Sequence, residues 1–235
     1  MKQIFKIILL LLMLPYIELK TVFAEGQSSS YTIKFKNKSD LDAFVNITPG
    51  IIKVCEKCPY SLAFSTIRKG TGIVHIMPEK INPEYSSSEG DIEYAIDFIL
   101  GPCGAYSWGF ILSDCPSLDF NMRQHDNTII AMAAYNGGAG SLALKIDGKS
   151  FESQKKFNWV WSRRWYRLVL NINNKDKNIR FAAIDLADGK TIDTVSIRGV
   201  DFLRQTPFQL FILTECPYPM NYFLRVGLFS VTISH

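Results

Sequence analysis

Histidine is scarce in this chain of 235 residues: His75, His125 and His235 lie far apart. No Gly-x-Ser-x-Gly elbow and no recognisable Ser/His/Asp arrangement accompanies them, so the nucleophilic hydrolases that carry those motifs are not expected. Cys55-Glu56-Lys57-Cys58 stands alone, since neither a second Cys-x-x-Cys nor a His-x-x-x-His completes a zinc site. A redox role needs a helix N-terminus to lower the thiol pKa, and Pro59 with its strand-like flanks does not supply one. Long helical faces are hard to find, and no fixed-period repeat argues for a propeller or solenoid. The formal net charge is only +4 at pH 7. A nucleic-acid partner, which needs a concentrated basic face, is therefore not expected.

One long apolar run is present. Ile7 to Leu14 is unbroken, follows Lys2 and Lys6, and ends at Pro15. Val22-Phe23-Ala24 then puts small or apolar residues where a signal peptidase cuts, before Glu25. A membrane-spanning helix needs about 20 predominantly apolar residues, and Pro15, Glu18 and Lys20 interrupt the run too soon. The sequence predicts a cleaved signal peptide over 1–24 and an exported chain, secreted or periplasmic, over 25–235. No second run approaches spanning length, so no transmembrane segment is expected after signal removal. Losing three lysines and one glutamate lowers the charge to +2. Cys55, Cys58, Cys103, Cys115 and Cys216 read as two disulfides and a spare thiol in an oxidising compartment, with the pairing open.

Period-two alternation dominates what remains. Tyr31-Thr32-Ile33-Lys34-Phe35 alternates, and Ile73 to Met77 is a short run closed by Pro78. The clearest strand places Ile92, Tyr94, Ile96, Phe98 and Leu100 on one face, with Glu93, Ala95 and Asp97 on the other. Trp108, Phe110 and Leu112 repeat the pattern, as do Leu118, Phe120 and Met122. Ile130, Met132 and Ala134 are expected to share the next apolar face, before an Asn136-Gly137-Gly138 turn. Leu142 to Ile146, Tyr166 to Ile172, Ile179 to Leu186, Ile192 to Ile197 and Phe208 to Leu213 follow, several joined by Asp-Gly or polar turns. In the last segment the apolar parity switches from Leu224, Val226 and Leu228 to Phe229, Val231 and Ile233, which predicts a β-bulge at Gly227. Ten or so short strands with one apolar face each predict an all-β fold, a two-sheet antiparallel β-sandwich.

From Gly90 onward the order of segments resembles the concanavalin A-like lectin/glucanase superfamily, most of all its laminin-G-type jelly rolls. The carrying segments are Asp91 to Phe98, Tyr106 to Leu112, the Trp165 to Ile172 strand that opens on tryptophan, and the closing Phe229 to Ile233. The resemblance implies a jelly roll that often binds carbohydrate on a sheet face or rim loops and sometimes cleaves it. It also implies a possible structural Ca²⁺ at the sheet rim; Asp114 and Asp126 are plausible there, but the ligand set stays unassigned and no other cofactor is expected.

A retaining glucanase of this fold carries a series resembling Glu-x-Asp-x-x-Glu, and here Ala95 breaks the run of Asp91, Glu93 and Asp97. Asp185 and Asp193 come from different strands. A lyase built on Arg123, His125 and Tyr135 has nothing in the spacing to favour it over ordinary surface residues. Sugar binding asks less: flat aromatic faces and nearby hydroxyl partners. Asp119, Asn121 and Arg123 share the polar face of one strand, and Trp159, Trp161 and Arg163 lie in the aromatic and basic segment 158–165. These six are the candidate ligand contacts, weighed against a plain solvated face. Trp159 and Trp161 read equally as an exposed platform or the edge of the core, and Trp165 reads as packing. Asn37-Lys38-Ser39 and Asn46-Ile47-Thr48 fit the glycosylation sequon. The leading expectation is a non-catalytic module that binds an extracellular or cell-surface glycan. A glycoside hydrolase or polysaccharide lyase, and a structural or protein-interaction jelly roll without a sugar site, are the alternatives.

Overall fold

The computed structural model describes residues 28–34, 44–46, 52–55, 62–66, 70–76, 91–101, 105–113, 128–136, 138–146, 148–153, 155–160, 164–200, 209–216 and 220–234. Sixteen strands lie among these described residues. The first five are β1 (Ser28–Lys34), β2 (Phe44–Asn46), β3 (Ile52–Cys55), β4 (Leu62–Thr66) and β5 (Gly70–Ile76). Next come β6 (Asp91–Leu100), β7 (Ala105–Ser113), β8 (Thr128–Asn136), β9 (Ala139–Ile146), β10 (Lys149–Glu152) and β11 (Phe157–Asn158). The chain continues through β12 (Tyr166–Asn173), β13 (Asn178–Asp185), β14 (Thr191–Arg198), β15 (Gln209–Cys216) and β16 (Met220–Ser234).

The strands form two antiparallel sheets. The first runs β14-β13-β12-β6-β16-β4-β3, with β1 also against β16; the second runs β10-β9-β8-β7-β15-β5-β2, with β11 also against β9. The early strands are divided between the sheets, β1, β3 and β4 completing the first and β2 and β5 the second. Alternation explains the layering, because a strand with one apolar face can bury it only against another sheet. Tyr94, Ile96 and Phe98 of β6, Leu168 and Leu170 of β12, and Phe181 of β13 meet Trp108 and Phe110 of β7 and Leu142 and Leu144 of β9. The Tyr94–Phe110 and Phe110–Phe181 rings, 6.5 and 6.4 Å apart, join the layers. This is the all-β two-sheet sandwich expected from the alternation.

The faces predicted for β6, β7, β9 and β12 are the buried ones. In β8 the parity is the reverse of the expectation. Ile129, Ala131, Ala133 and Tyr135 point into the core, while Met132 and Ala134 are only partly buried. Both faces of this strand are apolar, so its sequence holds no alternation from which to choose, and pairing with β7 and β9 decides. The expected strand around Leu118, Phe120 and Met122 lies outside the described residues, as do the signal segment and Cys58, Cys103 and Cys115.

The bulge at Gly227 is present. Val226 pairs with Phe98 and Leu228 with Asp97, leaving Gly227 as the extra residue, after which Phe229, Val231 and Ile233 turn inward.

Candidate functional site

Of the segment that the sequence singled out, the structure describes β11, residues 159 and 160, and residues 164 and 165 before β12. β11 pairs with the first residues of β9, Phe157 opposite Gly140 and Asn158 opposite Ala139. The Trp159 N–H donates to the Gly138 carbonyl at 3.0 Å and extends this pairing. Alternation then sends the Trp159 side chain inward, where it is 3% exposed. Its indole N–H donates to the Ala134 carbonyl at 3.0 Å, which satisfies the one polar atom the ring brings into the core. Phe157, Tyr166, Trp108 and Phe98 surround it at centroid distances of 4.6, 4.9, 5.5 and 5.7 Å. Gly140 makes the room: a Cβ there would lie 2.5 Å from Phe157 Cε2 and closer still to Trp159 Nε1.

Val160 turns back to the surface, and its backbone N–H donates to the Tyr166 hydroxyl at 2.9 Å. Burial pushes the Tyr166 phenol above its ordinary value; the Val160 hydrogen bond and Arg164 oppose the shift, and Asp185 adds to it. The other end of the rim is fixed as well. Arg164 Nη1 donates to Asp185 Oδ2 at 2.5 Å, the Ala187 N–H to Asp185 Oδ1 at 2.9 Å, and the Leu186 N–H to the Trp165 carbonyl at 3.0 Å. Val160 and Leu186 are exposed apolar side chains on this end.

On the outer face of the first sheet, Arg167 of β12 stands opposite Asp97 of β6. Its Nε donates to Oδ1 at 2.6 Å and its Nη2 to Oδ2 at 2.9 Å, a bidentate pair. The hydrogen-bonded Asp97 carboxylate makes the Arg167 guanidinium hold its proton more tightly than usual, with burial opposing and Glu93 adding. Trp165 precedes Tyr166, so alternation puts it on this outer face, partly exposed. Its six-membered ring reaches the bulge, where a Cβ on Gly227 would lie 2.7 Å from Cη2 and Cζ3.

Of the six candidate ligand contacts, the structure describes Trp159 alone. Trp159 belongs to the core, which corrects its place among the ligand contacts: pairing of β11 with β9 fixes its parity inward, and Gly140 opens the space it fills. Asp119, Asn121, Arg123, Trp161 and Arg163 lie outside the described residues. So do Arg123 and His125 of the lyase set, while Tyr135 is buried.

The hydrolase carboxylates are engaged or misplaced. Glu93 and Asp97 lie four residues apart, about 13 Å along a strand, against the 5–5.5 Å of a retaining pair. Asp91 accepts the Asn174 N–H at 2.8 Å. Asp185 and Asp193 do come to neighbouring strands, Asp193 opposite Ala183, but both face inward and are 6% exposed. Asp193 Oδ1 accepts the Thr194 N–H at 2.9 Å, and Oδ2 has no partner among the described residues. No group of three or more His, Cys, Asp or Glu side chains is placed to hold a metal ion among the described residues. No helix among them is long and apolar enough to cross a membrane.

No protein-family model matches the chain, and no curated protein matches it significantly. Solved structures do. A protein of unknown function from Shewanella oneidensis MR-1 is 9% identical, with 92% of this chain and 90% of that one covered and a TM-score of 0.59. Lectin I of Ulex europaeus, solved in complex with the methyl glycoside of α-L-fucose, is 10% identical, with 88% and 98% covered and a TM-score of 0.57. The legume lectin-like domain from Entamoeba histolytica is 10% identical, with 85% and 94% covered and a TM-score of 0.57. The last two are legume-type rather than laminin-G-type sandwiches. Identities this low speak to architecture alone. Two antiparallel sheets closed over one aromatic core, superposing over most of their length on these lectins, give the chain the concanavalin A-like lectin fold.

Proposed function

We propose that this chain is a secreted, non-catalytic carbohydrate-binding protein. It is exported behind a signal peptide cleaved after Ala24, its mature domain spans residues 25–235, and its partner is an extracellular or cell-surface glycan. The observation that carries the reading is the fold, which it shares over 88% of its length with a lectin solved with a fucoside. The end of the sandwich supports it. Val160 and Arg164, which flank Trp161 and Arg163 in the sequence, are hydrogen-bonded to Tyr166 and Asp185. Trp161, Arg163, Asp119, Asn121 and Arg123 are the proposed ligand contacts, aromatic and hydrogen-bonding groups of the kind that recognise a pyranose. A hydrolytic reading finds less support, because Asp97 and Asp185 are each held by an arginine.

A glycan array probed with the mature chain tests the reading. Binding to a restricted set of glycans, with no reducing sugar released from them, is the expected result. Release of reducing sugar would replace it with the enzyme, and an array without any signal would leave a structural jelly roll.

A further inference from the structure

Among the described strands the first sheet ends at β14, and the second ends on the same flank at β10. β10 is four residues long and offers little to a further strand. β14 has eight, and Thr191, Ile192, Thr194, Val195 and Ile197 are β-branched residues that favour strand pairing. Such an edge is a template for another strand. A second copy of the chain always brings one, because β14 against β14 across a twofold axis is antiparallel.

One hydrogen bond sets which backbone groups face this edge. The Gly199 N–H donates to the Lys177 carbonyl at 2.9 Å, one row beyond Asn178 opposite Arg198. Hydrogen-bonded and non-bonded rows alternate in an antiparallel pair. Ile197, Val195 and Asp193 therefore turn their backbone groups to β13, while Arg198, Ser196 and Thr194 turn theirs away from the sheet. Ala183 pairs with Asp193 and Ile184 with Thr191, so Ile192 is a bulged extra residue that breaks the row order. At this end of the strand the edge groups are already engaged. The Thr194 N–H donates to Asp193 Oδ1 at 2.9 Å, and the Ile192 carbonyl accepts from Lys155 Nζ at 3.1 Å. Lys155 lies between β10 and β11, both strands of the second sheet, so its side chain crosses from one sheet to the edge of the other. Ser153 fixes it there: its Oγ accepts the Lys155 N–H at 3.1 Å and donates to the Lys155 carbonyl at 3.2 Å. Asp193 does nothing for the core. It is 6% exposed among Val195 and Ile197 on the inner face, and its Oδ2 has no partner among the described residues, which costs stability.

We propose that Lys155 and Asp193 close the β14 edge against a second copy of the chain. Asp193 withdraws a donor from the edge, Lys155 withdraws the neighbouring acceptor, and the bulge between them displaces the row an incoming strand would need. That strand would also have to strip water from the Lys155 ammonium, which has no carboxylate partner among the described residues to offset the loss. What stays open, the Thr194 carbonyl and the backbone groups of Ser196 and Arg198, is too short a run to hold a pairing by itself. The closure is independent of what the sheet faces bind.

The test compares the mature chain with Lys155→Met, Asp193→Val and the double variant, by sedimentation velocity over a concentration series and by amide hydrogen exchange. In the unchanged chain the Thr194 amide is expected to exchange at least about tenfold more slowly than that of Ser196, although both face the edge. Asp193→Val should erase that difference. The double variant should dimerise with a Kd at least about tenfold lower than that of the unchanged chain, a difference of about 1.4 kcal/mol, and its Ser196 and Arg198 amides should become protected as it does. Lys155→Met, a surface change that keeps the apolar stem, should give part of that shift. A double variant that sediments like the unchanged chain overturns the proposal. Association that leaves the Ser196 and Arg198 amides exchanging as before also overturns it, because the contact would then lie elsewhere. So does an unchanged chain that already dimerises with Ser196 protected. Should Asp193→Val fail to fold, Lys155→Met decides alone, and unaltered association in that variant sinks the idea.

Discussion

Trp159 and Trp165 are six residues apart and are seated in the same way, each with ring atoms where the Cβ of a facing residue would be if that residue were not glycine. Gly140 receives Trp159 from within the sandwich, and Gly227 receives Trp165 on the outside. One ring is closed in by four others and hydrogen-bonded to Ala134; the other keeps part of its surface open. Seating on a glycine therefore fixes a ring's position without deciding its role. Strand parity decides that, by sending one indole to the core and the other to the surface.

The comparison breaks most visibly on truncation. Trp159→Ala removes a closed-in indole and leaves a cavity, and should lower stability by about 3–5 kcal/mol; chemical denaturation would read it. Trp165→Ala should cost only about 1 kcal/mol, because a partly exposed ring gives up less buried area. A loss for Trp165→Ala equal to that for Trp159→Ala would place both rings in one core and end the distinction. The smallest effect concerns Tyr166, whose phenol borders Trp159. Its folded pKa lies above the ordinary tyrosine value of about 10. Below pH about 10 the phenol is protonated in both states, and its full contribution is present. As pH rises further the unfolded chain gives up the proton first, so stability falls until the folded pKa is passed. Tyr166→Phe should flatten this alkaline decline in a pH series of denaturation curves, and an unchanged slope would show that the phenol is not desolvated.

Much of the architecture was legible in the sequence because β6, β7, β9 and β12 each carry large apolar side chains at alternate positions, a face that cannot be left in water. The bulge was legible for the same reason: a parity switch at Gly227 has few other physical meanings. β8 failed where both faces are apolar, since Ile129-Ile130-Ala131-Met132 carries no period-two signal. The site was harder. A tryptophan that packs and one that binds are the same residue, and Trp159 became core only through the pairing of β11 with β9, where Gly140 leaves the space that its ring fills. The Arg167–Asp97 pair was spelled out in two strands 70 residues apart, and nothing local announces that β12 and β6 are neighbours. Gly227 facing Trp165 was hidden likewise.

The long last strand has a kinetic consequence. β16 is paired along one edge with β6 and along the other with both β4 and β1, and Ser28 finds its partner in Ser234, 206 residues on. Three strands of the first sheet therefore wait for a segment that follows them in the chain, β1 by some 206 residues. Contacts this distant in sequence make for slow folding, because the chain loses loop entropy before the contacts repay it. Until β16 is in place, β6 lacks one neighbour and β1 has none among the described strands, so the nascent chain carries open strand edges that a holding chaperone would recognise.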